Sequence, residues 1–198
     1  MEKKGLVVWM TGLSGAGKST LARRLARELL TLGHPVEILD GDEVRESLSK
    51  GLGFSKEDRD TNVRRIGFVA RLLARNGIVV LASAISPYRQ SRDDVRRSIE
   101  KDNIAFVEVF LHCPIEELVE RDTKGLYKQA LAGTLKNFTG ISDPYQEPLA
   151  PESVVDSSVQ SVDESAAQLI SYLTRIGFID REAVLHGVEP EPDLVPAV

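Results

Sequence analysis

The stretch Gly12-Leu13-Ser14-Gly15-Ala16-Gly17-Lys18-Ser19 matches the pattern G-x-x-x-x-G-K-[ST] at every defined position. An apolar run over residues 6–10 precedes it, and residues 20–32 follow it with helical spacing. In this strand-turn-helix context, successive backbone N–H groups can curl around phosphate groups, toward which the positive end of the helix dipole points. The stretch therefore predicts a site for the phosphates of a nucleotide.

The polar residues of this phosphate loop have distinct expected partners. Lys18 would reach the β- and γ-phosphates of ATP, and Ser19 would hold Mg²⁺ through its hydroxyl. A glycine-rich turn that binds nothing is disfavoured, because both the pattern and its structural context agree. We expect the ATP phosphates to contact Gly12, Leu13, Ser14, Gly15, Ala16, Gly17, Lys18, Ser19 and Thr20.

Composition narrows the class of protein. With 198 residues, 42% of them hydrophobic, the chain can bury one core, so we expect a single domain. The net charge of −5 argues against a nucleic-acid partner, since nucleic-acid-binding domains are usually basic. No apolar run is long enough to cross a bilayer, so no membrane partner is expected. The single cysteine, Cys113, is read as a packing residue, and the composition suits the cytoplasm.

Strand-like and helix-like stretches alternate along the chain. Apolar runs at residues 36–39, 78–82 and 104–111 predict buried strands, and helical spacing predicts helices over 55–76, 88–101, 115–121 and from 162 onward. This alternation predicts an α/β fold with a parallel sheet covered by helices on both faces. Glycine, proline and weak periodicity predict a mobile lid over 122–151. We expect a domain over 1–178 and an acidic, proline-containing tail or linker over 179–198.

Carboxylates limit the reaction that the phosphate loop could serve. A guanine-selecting N-K-x-D is absent from the sequence, and the strand at 78–82 is followed by Ser83 where many such proteins carry a magnesium-linked aspartate. Asp40 and Asp42 instead follow the strand at 36–39, at the sheet edge where ligands gather. They could orient Mg²⁺ and accept a proton from an acceptor hydroxyl. An ordinary capped turn is the alternative reading of this pair.

Five further blocks resemble the adenylyl-sulfate kinase (APS kinase) family. They are DGDEVR at 40–45, GFSKEDRDTNVRR at 53–65, ISPY at 85–88, RDTKGLY at 121–127, and FTGI at 138–141 with PY at 144–145. With the phosphate loop they span about residues 5–178. The resemblance implies transfer of the γ-phosphoryl group of ATP to the 3′-hydroxyl of adenosine 5′-phosphosulfate, giving 3′-phosphoadenosine 5′-phosphosulfate and ADP for sulfate assimilation or sulfation. It also implies a homodimer and, in some members, fusion to an ATP sulfurylase.

The resemblance also implies roles for individual residues. Asp42 would lie beside the 3′-hydroxyl, either as the catalytic base or as a metal-linked carboxylate. Lys18 and Ser86 are further catalytic candidates, and the family's serine at the position of Ser86 has been described as a phosphoserine site. Ser19 and Asp40 are the metal candidates, and Arg121 would lie against the ATP adenine. Arg45, Arg59 and Asn62 would hold the phosphosulfate and ribose of the acceptor. Phe54 and Phe138 would lie on either side of its adenine. Ile85 and Ser86 would line the same pocket, and Lys124 and Leu126 would belong to the lid over it.

Other features leave alternatives open. Ser142 and Gln146 stand where acidic residues are common in the family, which affects only details of the lid. Arg64 and Arg65 are either family features or solvated charges, whereas Arg89, Arg92, Arg96 and Arg97 are expected to form a hydrated helix face. Two rival functions remain: another small-molecule kinase on the same scaffold, and a non-catalytic nucleotide-binding regulatory domain.

Overall fold

A parallel sheet forms the centre of the computed structural model, which describes residues 5–180. Its strands are β1 (Leu6–Thr11), β2 (Val36–Asp40), β3 (Val79–Ser83), β4 (Ala105–His112) and β5 (Ser153–Asp156). They lie in the order β2-β3-β1-β4-β5, and every neighbouring pair is parallel. Because β1 is central, all six of its residues are buried, which explains its apolar run over residues 6–10.

Helices cover both faces of this sheet, as predicted. They are α1 (Lys18–Thr31), α2 (Gly41–Glu46), α3 (Lys56–Arg75), α4 (Arg89–Glu100), α5 (Ile115–Arg121), α6 (Leu126–Leu131) and α7 (Val162–Arg175). Alternate residues of β1 enter two separate cores: Val8 packs with the apolar residues of α1 and α7, and Trp9 packs with those of α3 and α4. The α/β prediction is therefore confirmed.

Capping residues set two helix starts where the sequence predicted them. The Ser55 hydroxyl accepts a hydrogen bond from the Asp58 N–H at the start of α3. At the start of α7, Ser161 and Glu164 form a reciprocal capping box. Side-chain oxygens satisfy N–H groups that the first helical turn leaves without backbone partners, so these signals act locally and can be read from sequence.

Three short elements were not predicted. The six-residue helix α2 follows Asp40, whose side chain accepts from the Asp42 N–H. Another six-residue helix, α6, lies inside the segment predicted as a lid, and Asp122 accepts from the N–H groups of Tyr127 and Lys128 at its start. The strand β5 has four residues and pairs only with β4 in the described chain. Elements this short offer too few turns or alternations for a periodic pattern.

The prediction of a hydrated arginine face on α4 is wrong for Arg92. Arg92 is 2% exposed and donates to Glu108 of β4 at 2.7 Å. Arg96 is also partly covered and forms two hydrogen bonds to Glu152. Only Arg97 among these three has a mostly exposed side chain. A carboxylate inside the buried strand β4 needs a cation beside it, which draws α4 arginines inward.

The single cysteine and the first residue of the predicted tail both lie in a core. Cys113 is buried in the core that α1 and α7 share, as predicted. Ile179, the first residue of the predicted tail, is 2% exposed and joins the same core. The rest of that tail, residues 181–198, lies outside the described residues. Within residues 5–180, no helix has both the length and the apolar character that a bilayer crossing requires.

Candidate active site

The candidate site lies at the carboxyl ends of three adjacent strands. In β3, Ser83 is in register with Met10 of β1 on one side and with Asp40 of β2 on the other. The phosphate loop, the Asp40–Asp42 turn and the loop after β3 therefore leave the sheet at the same edge. Loops at this edge are where ligands bind in open parallel sheets.

The phosphate loop needs glycine at its first position for steric reasons. Gly12 has a φ of 149°, and a Cβ there would lie 2.5 Å from the carbonyl oxygen of Leu111 in β4. Gly17, with a φ of 88°, provides the left-handed residue that precedes α1. The backbone of this loop is thus shaped by its own sequence and by close packing on β4.

Lys18 lies inside the curve of the loop. Its Nζ donates to the carbonyl oxygens of Gly12 at 2.9 Å and Leu13 at 2.7 Å, and the residue is 8% exposed. Burial lowers the pKa of Lys18 to about 8, while the carboxylates of Asp42 and Asp40 act to raise it and Lys124 to lower it. Asp40, Asp42 and Lys124 therefore all lie close enough to Lys18 to change its protonation equilibrium.

The two aspartates differ in how they are held. The Asp40 carboxylate accepts a hydrogen bond from the Asp42 N–H at 3.0 Å and so caps α2. Asp42 is exposed, and its carboxylate forms an ion pair with Lys124 from the segment before α6. Beside them, the Ser19 hydroxyl lies 3.4 Å from that of Ser83. Asp42 is thus accessible to solvent, whereas the carboxylate of Asp40 is held at the start of α2.

Arg59 links α3 to the segment after α6. It is 6% exposed, and its guanidinium donates to the hydroxyl of Thr139 at 2.7 Å and to the carbonyl oxygen of Asn137. Nε also donates to the Phe54 carbonyl oxygen at 3.0 Å and lies 3.6 Å from the Asp143 carboxylate. The sequence predicted a substrate contact for Arg59, and the structure adds this bridging role.

Two guanidinium groups flank the ring of Phe54. The Arg45 guanidinium lies 4.5 Å from the ring centroid and that of Arg59 lies 5.6 Å away, while Phe54 itself is 52% exposed. Burial, followed by the neighbouring charge of Arg59, lowers the pKa of Arg45. An exposed aromatic face beside two cations can stack on a base and attract an anion attached to it.

The other predicted acceptor residues lie deeper. Asn62 is 6% exposed, and its side-chain oxygen has no hydrogen-bond partner within residues 5–180. Phe138 is 8% exposed and packs edge-on against Tyr127, with 4.9 Å between the ring centroids. Phe54 is therefore open to solvent, whereas Phe138 is part of the core in this structure.

The loop after β3 is closely fixed at Ser86. This residue has a φ of 42°, in the left-handed region that non-glycine residues rarely adopt, and it is 3% exposed. Its hydroxyl accepts from Trp9 Nε1 at 3.0 Å and donates to the Thr11 hydroxyl at 3.1 Å. The preceding residue, Ile85, accepts from the same Thr11 hydroxyl through its carbonyl oxygen at 2.7 Å.

The segment around α6 contacts the phosphate loop directly. The Tyr127 hydroxyl donates to the carbonyl oxygen of Ser14 at 2.9 Å. A shallow depression beside this contact is lined by Ser14, Gly15, Leu118, Arg121, Asp122, Thr123, Lys124, Leu126 and Tyr127. Three residues with predicted roles, Arg121, Lys124 and Leu126, thus lie together next to the loop. Arg121 also donates to the Ser157 carbonyl oxygen at 3.1 Å.

Several contacting residues had no predicted role. Tyr145 shares a hydrogen bond of 2.9 Å with the Thr11 hydroxyl, and Tyr88 donates to Asp143 at 2.9 Å. Burial raises the pKa of Tyr145 to about 12, so its hydroxyl keeps its proton at neutral pH. The buried position of Arg92 could have been inferred from Glu108, its partner, which is a lone carboxylate within an apolar strand. Tyr145 belongs to the PY block at 144–145, but the sequence does not indicate its partner, which lies 134 residues away.

Comparison with known proteins agrees with this arrangement. The family model described as adenylylsulphate kinase matches residues 4–156. An adenylyl-sulfate kinase from Rippkaea orientalis is 51% identical over 185 residues, which cover 93% of this chain and 100% of that protein. A probable bifunctional SAT/APS kinase from Sorangium cellulosum is 58% identical over 184 residues; the match covers 93% of this chain but 31% of that longer protein.

A solved structure extends the comparison to three dimensions. The Mycobacterium tuberculosis APS kinase CysC, solved in complex with AMPPNP and APS, has a TM-score of 0.83 and 44% sequence identity, covering 86% of this chain and 98% of that one. The family model spans most of the chain, and the Rippkaea relative is matched along its whole length. This chain therefore belongs to the adenylylsulphate kinase family.

Proposed function

We infer that this protein transfers the γ-phosphoryl group of ATP to the 3′-hydroxyl of adenosine 5′-phosphosulfate. The surroundings of Asp42 support this inference, because they connect the phosphate loop, which we take as the nucleotide half of the site, with the proposed acceptor residues, which form the other half. The Asp42 carboxylate acts on the charge of Lys18 in the phosphate loop, and its own helix carries Arg45, which packs on Phe54. The AMPPNP and APS bound by the M. tuberculosis relative belong to the two ligand classes that these halves suit.

The proposed reaction is an in-line displacement at the γ-phosphorus. The 3′-oxygen of the acceptor forms a bond to phosphorus while the bond to the bridging oxygen of ADP breaks, and the hydroxyl proton passes to the Asp42 carboxylate. Protonated Lys18 stabilises the negative charge on the transferred group. Lys124 pairs with one oxygen of this carboxylate, Oδ2, so the other oxygen, Oδ1, is the one placed to accept the proton while that ion pair is closed.

The residues present fit a magnesium ion held chiefly by the nucleotide. Ser19 and Asp40 offer hard oxygen ligands, and Mg²⁺ favours a few such ligands together with phosphates and water. No group of three or more potential metal-ligating side chains occurs within the described part of the chain, so a cage built from protein alone is not the arrangement to expect. When bound, Mg²⁺ supplies charge neutralisation at the β- and γ-phosphates.

We propose that binding follows the division of the site into two halves. ATP is held by residues 12–20 and by Arg121, and the acceptor is held by Arg45, Phe54, Arg59, Asn62, Ile85, Ser86, Lys124, Leu126 and Phe138. Phe138 is 8% exposed, so stacking on adenine requires that one face of its ring become uncovered. Ser86 is assigned first to binding, because an in-line transfer from ATP does not require a phosphoserine; its hydroxyl is hydrogen-bonded to Trp9 and Thr11.

Acceptor choice tests this function. ADP release is measured in a coupled assay with adenosine 5′-phosphosulfate, AMP or gluconate as acceptor, at the same ATP and Mg²⁺ concentrations. We expect turnover with the phosphosulfate to exceed that with the other two by at least about 10²-fold, because only it pairs a sulfated anion with the arginine groups. Faster turnover with gluconate or AMP would support another small-molecule kinase, and no turnover with any acceptor would support a regulatory nucleotide-binding domain.

Assembly and location complete the proposal. The homodimer implied by the family resemblance would give twice the chain mass in light scattering, and an exposed apolar pair one turn apart on α3, Phe68 and Leu72, offers a surface for it. Fusion to, or association with, an ATP sulfurylase is proposed from the Sorangium relative, of which this chain matches 31%. The buried free thiol of Cys113 suits the reducing cytoplasm.

A further inference from the structure

Arg92 joins three separate segments of the chain. From α4, its Nε donates to Glu108 of β4 at 2.7 Å, Nη1 to the Ser86 carbonyl oxygen at 2.7 Å, and Nη2 to the Gln146 carbonyl oxygen at 2.8 Å. The side chain is 2% exposed. A planar guanidinium donates from three separate nitrogens in fixed directions, whereas the donors of an ammonium group all lie on one atom and cannot span three partners placed around the plane in this way.

The charge of Arg92 is balanced within a larger cluster, in which a second ion pair, between Arg96 and Glu152, is partly buried. Glu108 is 8% exposed, and its N–H donates to Glu152 at 2.6 Å. Arg96 then pairs with Glu152 through two hydrogen bonds of 2.6 and 2.8 Å. Buried ion pairs usually stabilise a fold no better than apolar residues of the same size. A cluster of this size therefore points to a requirement for orientation.

One end of the cluster holds the loop after β3. Ser86 has a left-handed backbone, and a non-glycine residue there persists only when its surroundings impose it. The hydrogen bond from Arg92 to the Ser86 carbonyl oxygen is one such constraint, and the bond from Trp9 to the Ser86 hydroxyl is another. Loss of Arg92 would remove the restraint on the Ser86 carbonyl group and leave those on the side chain and on the preceding residue.

The other end holds the segment at residues 143–147. Besides the bond from Arg92, the Gln146 N–H donates to the Pro87 carbonyl oxygen at 2.8 Å, which joins this segment to the same loop. Asp143, three residues earlier, accepts from Tyr88 at 2.9 Å and lies 3.6 Å from Arg59. Arg92 is thus connected to Arg59 through a short, packed series of contacts.

We propose that Arg92 is a positioning residue for the acceptor nucleotide: its guanidinium locks the loop carrying Ser86 to the segment that orients Arg59. Arg92 itself has no place in the phosphate loop or on the acceptor. This inference rests on the proposed function, because it requires that Ser86 and Arg59 serve the acceptor. It predicts that loss of Arg92 weakens acceptor binding and leaves nucleotide binding unchanged.

The test uses two variants of the full chain. Arg92→Lys keeps the charge but cannot reach three partners, and the double variant Arg92→Met with Glu108→Gln removes both charges so that no carboxylate is left buried alone. The matched control is Arg71→Met, which breaks another two-bond arginine pair, with Asp102 at 2.6 and 2.7 Å, at the far end of α3 from Arg59. Circular dichroism establishes which variants fold. If the double variant does not fold, the test is made with Arg92→Lys alone.

We expect the KM for adenosine 5′-phosphosulfate to rise about tenfold in the Arg92 variants, the effect of losing one hydrogen bond to a charged group, with the Kd for ATP within about twofold of wild type. Trp9, the single tryptophan of the sequence, reports on the same loop through its bond to Ser86. Its emission should move to longer wavelength in the Arg92 variants and stay fixed in Arg71→Met.

Two results would overturn the proposal. One is an equal change in the acceptor and ATP constants in Arg92→Lys, which would make Arg92 a general structural residue. The other is an unchanged acceptor KM together with unchanged Trp9 emission. Wild-type turnover is measured in the same assay: if the wild-type chain fails to phosphorylate the phosphosulfate, the proposed function fails, whereas wild-type turnover with unaffected Arg92 variants rejects this inference alone.

Discussion

The phosphate loop and the acceptor side differ in how far along the chain their contacts reach. Lys18 donates to carbonyl oxygens five and six residues away. Arg59 donates to residues 78 and 80 positions away, in a segment with little regular structure. One half of the site is thus a local motif, and the other is assembled by the topology of the sheet. Changes in the first should affect the nucleotide, and changes in the second should affect the acceptor.

Removal of the Lys18 ammonium should have the largest effect. For Lys18→Ala we expect kcat/KM to fall about 10³-fold, because a preorganised charge at the transferred phosphoryl group is lost. The Kd for ATP should rise as well, since the same group binds the ground state. Steady-state kinetics and calorimetric titration with ATP measure the two effects. Unchanged ATP affinity would contradict the assignment of Lys18 to the nucleotide half.

Asp42→Ala should separate the two halves. We expect kcat to fall at least about 10²-fold, the usual contribution of a positioned base, while the Kd for ATP stays within about twofold. Asp42→Asn is the matched control for shape, because it keeps the side-chain size and removes the basic oxygen. Near-normal turnover in either variant, measured under saturating substrates, would show that another group accepts the proton.

Arg59 and Arg64 lie on the same helix and provide a matched pair. Arg59 is buried among partners from the segment 137–143, whereas Arg64 is exposed and donates only to Thr61 among the contacts found in residues 5–180. Arg59→Lys should raise the acceptor KM by about 10- to 30-fold, since bidentate pairing is lost. Arg64→Lys should change it less than about twofold. Equal effects would mean that the α3 arginines act only through net charge.

The pKa of Lys18 predicts a pH effect on the nucleotide half alone. Burial lowers this pKa to about 8, so the side chain of the free protein loses its proton above that pH. Bound phosphates favour the charged form, and ATP binding should therefore take up close to one proton at about pH 9 and almost none at about pH 6.5. Calorimetry in buffers of different ionisation enthalpy measures this uptake. Proton release at the higher pH would contradict the assignment.

Removal of a helix cap should have the smallest effect on the acceptor KM, and two caps can be compared. Ser55→Ala and Ser161→Ala should each lower the free energy of unfolding by about 1 kcal/mol, because each removes the acceptor for one N–H group of the first turn. Only Ser55 starts the helix that carries Arg59 and Asn62. Its variant should also raise the acceptor KM about threefold, a change of well under 1 kcal/mol. Thermal denaturation and kinetics on both proteins check this pair.

The same division explains what the sequence could predict. The phosphate loop, the caps at Ser55 and Ser161 and the bounds of α5 depend on neighbouring residues, so local patterns were sufficient. The helix α2 and strand β5 are too short for periodicity, and they form because Asp40 caps one and β4 pairs with the other.

Long-range packing accounts for the predictions that were incomplete or wrong. The prediction of a hydrated face on α4 did not take account of Glu108. This residue lies 16 positions beyond Arg92 and pairs with it, so that Arg92 points inward. Phe138 was placed in the site by resemblance, and only the structure shows its contact with Tyr127 in the core. Residues whose partners lie on another element cannot be assigned a contact from spacing alone.

The last residue of β1 has a consequence for how the two ligands influence each other. Thr11 directly precedes the phosphate loop, and its hydroxyl contacts Ile85, Ser86 and Tyr145. A displacement of this strand end by one ligand can reach the opposite wall through the Thr11 hydroxyl, together with the hydrogen bonds from Trp9 to Ser86 and from Ala84 to Met10. Thermodynamic reciprocity then requires that each ligand change the affinity of its companion by the same factor. Communication between the ligands can thus run through the sheet itself, without movement of the segment around α6.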